Sequence, residues 1–260
     1  MGLTIPLATL EVVMLAAVRI AAFLVIAPPF SHRGIPGTVK AMLAMGLGLA
    51  AAPRAAAAAG PTVGTSIASG TATFVGDMLL QVLIGTALGF LVAMVFAAVQ
   101  SAGNLIDLFG GFQLSQAFDP MSQTNGAQFS RLYQMTAIVL LFASDGYQLV
   151  IAGLVRSFDA LPLGTPLNLA ALGHAATEGL TNLFLAALQV AGPLIVVLFL
   201  ADVGLGLLTR VAPALNAFAL GFPLKILLTL SLGVTAYLAL PQIVSTLTDT
   251  AVGTMLGVTQ

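Results

Sequence analysis

Five charged side chains stand alone within apolar stretches of the sequence, and they are the residues best placed to do chemistry. They are Glu11, Arg19, Asp145, Asp202 and Lys225. Ionisable groups in such surroundings face protein or a water-filled cavity, and some of them carry protons or ions across membranes. A proton relay needs carboxylates or histidines stacked along one path. Asp145 instead lies at a predicted helix break and Asp202 at the end of an apolar segment, so the spacing favours structural pairing.

The interval 101–131 is the longest polar stretch, and its composition differs from that of a plain loop. It carries many amides, a flexible Gly110-Gly111 joint and an Asp119-Pro120 corner. Its phenylalanines are Phe109, Phe112, Phe118 and Phe129. Phenylalanine favours burial, and an apolar constriction can close a pore by excluding water. Two interpretations remain open, a gate and an ordinary loop packed on the surface.

Small residues spaced four apart follow one face of the third apolar segment. They are Gly85, Gly89, Ala93 and Ala97. Small residues at this spacing let another helix backbone approach closely. The pattern predicts tight helix packing, either within this chain or against another subunit.

Residues that would support catalysis or bind a cofactor are missing. The chain has no cysteine, which excludes disulfides and thiolate metal sites, and only two histidines, His32 and His174. Neither a phosphate-binding glycine loop nor a zinc-protease motif occurs. The net charge of −1 provides no basic field to hold nucleic acid. We expect no enzyme activity, no cofactor, no metal and no nucleic-acid partner.

The elements that position these residues are almost uncharged. Of 260 residues, 59% are hydrophobic and 7% are charged, whereas a soluble domain carries about 25% charged residues. A soluble monomer and a disordered chain are therefore excluded, and the protein must contact lipid, other subunits or both. Long apolar runs without alternation predict an all-α membrane protein with a single domain, 1–260.

Six hydrophobic segments are predicted, and several of them suit a protein neighbour better than lipid. They run over 7–27, 39–52, 78–99, 132–155, 180–201 and 215–240. The second segment is short, and the residues between it and the third, 55–76, are predicted to form a loop. The fourth is interrupted at Ser144-Asp145-Gly146. Arg19 and Lys225 each add about 2.5–3.5 kcal/mol to the insertion of their segments.

Two classes of function other than an assembly subunit fit these features. One is a small-solute secondary transporter with a midplane site near Arg19, Asp202 or Lys225. The other is a membrane scaffold without a conduit. The proline-broken segments fit helical hairpins within an assembly, and they also fit a small-solute transporter.

Three stretches of the sequence resemble the FliR/SctT family of export-gate subunits in flagella and injectisomes. The first contains Arg19, Ala27-Pro28-Pro29-Phe30 and the basic turn from Ser31 to Lys40. The second contains Ala102-Gly103-Asn104-Leu105-Ile106, Phe118-Asp119-Pro120-Met121-Ser122, Asn125 and Arg131. The third contains Arg210-Val211-Ala212-Pro213, Asn216-Ala217-Phe218 and Gly221-Phe222-Pro223. The resemblance covers most of the chain except 53–76 and 241–260.

The resemblance implies a fold, a set of partners and a place in the cell. Members of this family fold as helical hairpins that wind into a helical channel with FliP and FliQ, and FlhB and FlhA are further partners. The expected location is the bacterial inner membrane, in the flagellar basal body. The expected function is a pore-forming subunit that conducts unfolded, secreted flagellar substrates.

The resemblance also implies which residues form the gate and which hold the assembly. A plug that occludes the closed channel maps onto the interval near 103–130, with Phe109, Gly110, Gly111, Phe112, Gln113, Leu114, Ser115, Phe118, Asp119 and Pro120. The residues expected to set helix positions and subunit contacts are Arg19, Pro29, Pro36, Gly85, Gly89, Asp107, Arg131, Arg210, Pro213, Gly221 and Pro223.

Overall fold

The computed structural model describes residues 6–32, 34–60, 70–113, 128–166, 168–212 and 217–257. Their regular structure is helical, and no strand occurs among them. The helices are α1 (Leu7–Ile26), α2 (Gly37–Ala59), α3 (Thr71–Phe109), α4 (Gln128–Ala143), α5 (Gly146–Ala160), α6 (Leu169–Val211), α7 (Ala217–Leu238) and α8 (Leu240–Gly257). The predicted all-α class is confirmed.

Among these helices, α1, α2, α3, α6 and α7 are long and apolar enough to cross a membrane. The pair α4 and α5 passes the same test together, although the two are bent by 77° at their junction. The described residues thus offer five spans, or six if the bent pair is one span. That number agrees with the six hydrophobic segments predicted from the sequence.

Helices α1 and α2 form a hairpin whose turn is rich in proline. Pro29 is buried in the turn after α1, and Pro36 is the N-cap of α2. Proline suits both places because it fixes φ and lacks an N–H that would need a partner. Gly48 of α2 lies so close to Ala17 of α1 that a Cβ on it would stand 2.8 Å from the Ala17 Cα.

Two helices extend into the interval predicted as the loop 55–76, so that prediction is wrong at both ends. Helix α2 continues through Pro53 to Ala59, and α3 already begins at Thr71. The run of alanines after Arg54 explains the first extension, because alanine has the highest helix propensity. Residues 61–69 lie outside the described part of the chain.

The predicted break in the fourth segment is confirmed at Asp145. This residue has a left-handed backbone with φ of 56°, and helix α5 starts immediately after it. Aspartate tolerates this conformation better than branched residues do. The Gln148 side chain donates from Nε2 to Asp145 Oδ1 at 3.1 Å across the first turn of α5.

Helices α3 and α6 are longer than the predicted segments, and α8 was not predicted. Helix α3 has 39 residues and α6 has 43, so Asp202 lies inside a helix rather than at a segment end. Helix α8 covers a stretch that the apolar segments did not include. Its threonine, serine and glutamine residues lower its hydropathy below that of a span.

The contacts divide the chain into two compact units. One contains residues 1–94, 145–179 and 248–260, and the other contains 95–144 and 180–247. In the first unit, α1 is the central helix, and its residues Leu15, Ile20, Phe23 and Leu24 are fully or almost fully buried. In the second unit, the end of α3 packs with α4 and α7.

The small-residue ladder brings α3 onto α1 of the same chain. A Cβ on Gly85 would overlap the Arg19 carbonyl oxygen, and one on Gly89 would lie 3.1 Å from the Phe23 carbonyl oxygen. Backbones can approach this closely only where no side chain intervenes. Gly85 and Gly89 therefore determine how near α3 lies to the central helix.

Replacing Gly85 with alanine should destabilise the first unit by about 1–3 kcal/mol, because the added methyl group has no room. The matched control is Gly76→Ala in the same helix, where nothing lies within 4 Å of the new Cβ. That change should be neutral or stabilising by up to about 1 kcal/mol. The stability of both variants is measured by their accumulation in membranes and their resistance to protease digestion. Equal behaviour of the two variants would contradict the close approach.

Candidate functional site

Arg19 is completely buried in α1 and binds groups from two other parts of the chain. Its Nε donates to Gln81 Oε1 of α3 at 2.8 Å. Its Nη1 donates to the Ser157 carbonyl oxygen at 3.3 Å, and its Nη2 to the Leu161 carbonyl oxygen at 2.8 Å. The guanidinium also lies 4.3 Å from the centre of the Phe158 ring. One side chain thus joins α1, α3 and the end of α5.

The chemistry of these acceptors explains how a cation is stabilised there without a carboxylate. The last carbonyl groups of a helix lack intrahelical partners and carry partial negative charge. Ser157 is near the C-terminus of α5, and Leu161 is its C-cap. The aromatic face of Phe158 adds a cation–π contribution. Arg19 therefore acts as a structural clamp among the described residues, in line with the preference for structural pairing over a relay.

The predicted gate interval has its two ends held together by Asp107. This carboxyl group is fully buried at the end of α3. Its Oδ1 accepts the N–H of Phe129 at 3.0 Å, and its Oδ2 accepts the N–H of Ser130 at 2.9 Å. Both N–H groups belong to the first turn of α4. The N–H groups of a helix's first turn have no carbonyl acceptor within the helix. A side chain 22 residues away in sequence thereby caps α4.

Tight packing surrounds this cap. A Cβ on Gly103 would overlap the Ser130 backbone, so the end of α3 contacts the start of α4 directly. The Phe112 ring meets the Phe129 ring edge to face with centroids 5.3 Å apart, and Phe129 meets Tyr133 in the same manner at 6.4 Å. Edge-to-face pairs add to the stabilisation that burial alone gives.

Helix α7 closes the other side of the same region. A Cβ on Gly110 would lie 2.9 Å from the Thr229 hydroxyl oxygen, and one on Gly233 would lie 3.3 Å from the Phe129 ring. Thr229 is fully buried. The start of the gate interval is therefore enclosed by α4 and α7 of the second unit.

The predicted gate residues fall into a described part and a part outside it. Phe109 ends α3, and Gly110, Gly111, Phe112 and Gln113 follow in turns. Gly111 has φ of 81°, the left-handed region that favours glycine. The Phe112 N–H donates to the Asp107 carbonyl oxygen at 3.0 Å. The other five predicted gate residues lie outside the described residues: Leu114, Ser115, Phe118, Asp119 and Pro120.

The predicted extent of the gate loop, near 103–130, is too wide. Residues 103–109 are the last turns of α3, and 128–130 are the first turn of α4. The amides in these stretches suggested a loop, but Asp107 satisfies the backbone of α4 and lets the helix start early. The interval without helix is 110–127 at most.

Asp202 and Lys225, which the sequence left isolated, form an ion pair between α6 and α7. Lys225 Nζ lies 2.7 Å from Asp202 Oδ2, and the side chains are 20% and 45% exposed. The buried Gly221 lies one turn earlier, where a Cβ would stand 3.1 Å from a methyl carbon of Leu205. The pair and the glycine together hold α7 on α6.

A second ion pair was missed by the sequence reading. Arg54 Nη2 of α2 lies 2.6 Å from Asp159 Oδ2 of α5. Arg54 lies beyond the predicted second segment, which ends at Ala52, and the pair becomes evident only once α2 is known to continue to Ala59. Both side chains are about half exposed, and such pairs contribute about 0–1 kcal/mol.

The remaining predicted assembly residues are spread over the chain. Arg131 is exposed at the start of α4, Arg210 is exposed in the last turn of α6, and Pro223 is exposed inside α7. Pro213 lies outside the described residues. In the described ranges, no group of three or more histidine, aspartate or glutamate side chains is arranged to hold a metal ion.

Replacing Arg19 with alanine should destabilise the first unit by about 2–5 kcal/mol. The change leaves Gln81 and the carbonyl of Leu161 without their donor, and each buried orphan costs about 1–3 kcal/mol. Arg19→Lys keeps the charge but cannot reach three acceptors, so it should be intermediate. The control is the exposed Arg156→Ala, expected within about 0.5 kcal/mol of wild type. Pulse-chase half-lives in membranes test this, and wild-type persistence of Arg19→Ala would refute the clamp.

Comparison with known proteins places the chain in a family. Residues 10–251 match the family described as bacterial export proteins, family 1. The flagellar biosynthetic protein FliR of Escherichia coli is 36% identical over 87% of this chain and 83% of its own length. FliR of Bacillus subtilis is 27% identical over 82% of this chain and 81% of its own length.

A relative from another secretion system also matches. The secretion system apparatus protein SsaT of Salmonella typhimurium is 32% identical over 61% of this chain and 61% of its own length. Both groups of relatives agree with the resemblance found in the three sequence stretches. The chain therefore belongs to the bacterial export proteins, family 1, as a FliR/SctT-type membrane component of a type III export apparatus.

Proposed function

We propose that this chain is a structural, pore-forming subunit of the flagellar type III export gate. It conducts unfolded export substrates across the inner membrane of the basal body, and its loop between α3 and α4 plugs the closed channel. The observation that carries the proposal is the family match over residues 10–251. The longer match to FliR than to SsaT, 87% against 61% of the chain, supports a flagellar system.

The surfaces of α6 and α7 support a place within an assembly. In the 18-residue apolar stretches of α6 and α7, 22% and 17% of the residues are buried, whereas 61% are buried in the corresponding stretch of α3. Their exposed large side chains include Phe184, Leu188, Phe199, Leu207, Leu227 and Leu238. Apolar surfaces of this kind require lipid or protein as a cover.

The Asp202–Lys225 pair favours protein over lipid as that cover. Charged side chains in hydrocarbon are costly, and in membrane proteins they face neighbouring protein or water. An ion pair on two predominantly apolar helices therefore suits a subunit interface. We propose FliP and FliQ as the neighbours, with FlhB and FlhA as further partners, following the resemblance.

The base of the proposed plug is held by contacts between described residues on its two sides. Its first residues are enclosed by α4 and α7, and Phe112 contacts Phe129 at the far end of the loop. A loop held at both ends can occupy a channel axis reproducibly at a small entropic cost. The aromatic and glycine residues then supply an apolar, flexible stopper that excludes water.

The proposed role is non-enzymatic, and the energy for export must come from other components. The reported relatives are named for flagellar biosynthesis and secretion. A small-solute transporter would need free charged groups to bind its substrate. Arg19 instead binds Gln81 and backbone carbonyls, and Asp202 pairs with Lys225, so the export subunit is the better-supported function.

Deleting residues 110–115 should leave the gate complex assembled and let small ions cross the membrane. The deletion removes the glycine joint and Phe112 while α3 and α4 remain intact. A deletion of equal length at 61–66, between α2 and α3, is the control and should not cause leakage. Ion-sensitive dyes in cells report permeability, and affinity purification reports assembly. An assembled, ion-tight complex with residues 110–115 deleted would overturn the plug assignment.

Produced without its partners, the chain should aggregate or be degraded, because its apolar α6 and α7 surfaces and their ion pair are then uncovered. Coproduction with FliP and FliQ should restore a monodisperse complex. Size-exclusion chromatography in detergent distinguishes the two outcomes. A stable, well-folded monomer obtained alone would contradict the subunit role.

A further inference from the structure

We propose that the exposed side of helix α8 lines the water-filled path along which unfolded export substrates travel. The inference rests on the proposed function of this chain as a pore-forming subunit, and it uses no residue of the loop between α3 and α4. It gives a role to the helix that the apolar segments of the sequence did not predict.

One side of α8 is already covered within this chain. Its buried apolar residues recur every three or four positions, which places them on one face of the helix. They are Leu240, Val244, Leu247, Ala251 and Met255. A Cβ on Gly153 of α5 would lie 3.3 Å from a methyl carbon of Val252 and 3.7 Å from the Met255 sulfur. Because protein covers its apolar face, α8 does not lie on a membrane surface as an amphipathic anchor does.

The opposite side of α8 is exposed and polar. Its exposed residues between Pro241 and Gly253 are Gln242, Ser245, Thr246, Asp249 and Thr250. From the first to the last, they extend about 12 Å along the helix axis. Among the eight helices that the structure describes, α8 alone exposes no large apolar side chain. The exposed surfaces of the other helices suit lipid or apolar protein, and this one does not.

The neighbours of α8 are helices long and apolar enough to cross a membrane. Only Ala239 separates α8 from α7, which is a candidate span. Gly153, beside Val252, lies near the middle of α5, and α5 is half of the bent candidate span. Helix α5 itself exposes the apolar Leu149. At such a depth, carboxyl and amide side chains are costly in hydrocarbon and face water or another protein.

The composition of the exposed side favours water over another subunit. Subunit interfaces are enriched in aromatic residues, methionine and arginine, and the exposed positions of α8 have none of these. The Thr246 hydroxyl donates to the Gln242 carbonyl oxygen at 3.0 Å, so its donor is satisfied within α8. Asp249 carries the only charge of the helix. A hydrated surface with few charges and no aromatic residue binds no particular sequence, which suits the passage of varied unfolded chains.

The first test asks whether a substrate in transit touches α8. A photoreactive phenylalanine analogue replaces Thr250 in the assembled complex, and an export substrate is stalled by fusing it to a domain that does not unfold. Illumination should crosslink this chain to the stalled substrate. The matched control carries the analogue at Leu227 of α7, which is exposed on an apolar surface, and should give no such crosslink. If the analogue prevents assembly, Ser245→Cys with a thiol-bound photocrosslinker replaces it.

The second test identifies what covers this side of α8. The chain has no cysteine of its own, so single cysteines can be labelled with a charged, membrane-impermeant thiol reagent. Ser245→Cys and Thr250→Cys should react at least about tenfold faster than the buried Val244→Cys, since the thiolate reacts and burial raises the thiol pKa. A stalled substrate should slow the labelling of Ser245→Cys and Thr250→Cys, which it would not do on an outer surface.

The crosslink decides the inference, and the labelling shows what holds in its place. Without a crosslink at Thr250 the inference is rejected: reactive thiols then indicate an outer aqueous surface, and unreactive thiols indicate a covering subunit. An equally strong crosslink at Leu227 also contradicts it. The two proposals fail separately. If deletion of 110–115 causes leakage and FliP and FliQ restore the complex, but Thr250 gives no crosslink, the gate subunit is retained and only the role of α8 is rejected.

Discussion

Buried polar groups in this protein must find partners within a chain that offers very few charges. With 8 basic and 9 acidic residues among 260, side chain–side chain pairing cannot satisfy them in general. The two central sites use helix ends instead. Arg19 takes carbonyl groups at the C-terminus of α5, and Asp107 takes amides at the N-terminus of α4. Each charge is opposite in sign to the partial charge at its helix end, so the backbone serves as the counter-ion.

This solution depends on close backbone approach, which the glycines supply. Gly85 lets α3 contact α1 beside the Arg19 carbonyl group, and in the second unit Gly103 lets α3 contact the first turn of α4. The same helix thus uses one small residue near each site. Bulkier residues would hold the helices apart and move the hydrogen-bonding groups out of reach. The close packing of the helices and the hydrogen bonding of the buried charged groups therefore depend on the same glycines.

The sequence predicted the positions of the six apolar segments, the break at Asp145 and the close packing of Gly85 and Gly89, because hydropathy and small-residue spacing are local signals. It missed features that depend on partners distant in sequence. The extension of α2 to Ala59 is indicated by the helix propensity of its alanines and not by hydropathy. Helix α8 is too polar for hydropathy to detect it as a span. Asp107 was expected to set helix positions and subunit contacts. Its bonds to Phe129 and Ser130 could not be predicted from the sequence, because the acceptor is paired with backbone N–H groups, which almost every residue has. The loop tip, with Phe118 and Asp119, remains a prediction.

Two of the three acceptors that hold the Arg19 guanidinium are main-chain oxygens, those of Ser157 and Leu161. Any amino acid at those two positions supplies the same oxygen, so evolution can exchange the side chains there without disturbing the bonds. Correlated changes between position 19 and positions 157 or 161 are therefore not expected among relatives. A buried arginine of this kind should be recognised in other membrane proteins by the absence of a covarying acid, combined with a helix terminus within its reach.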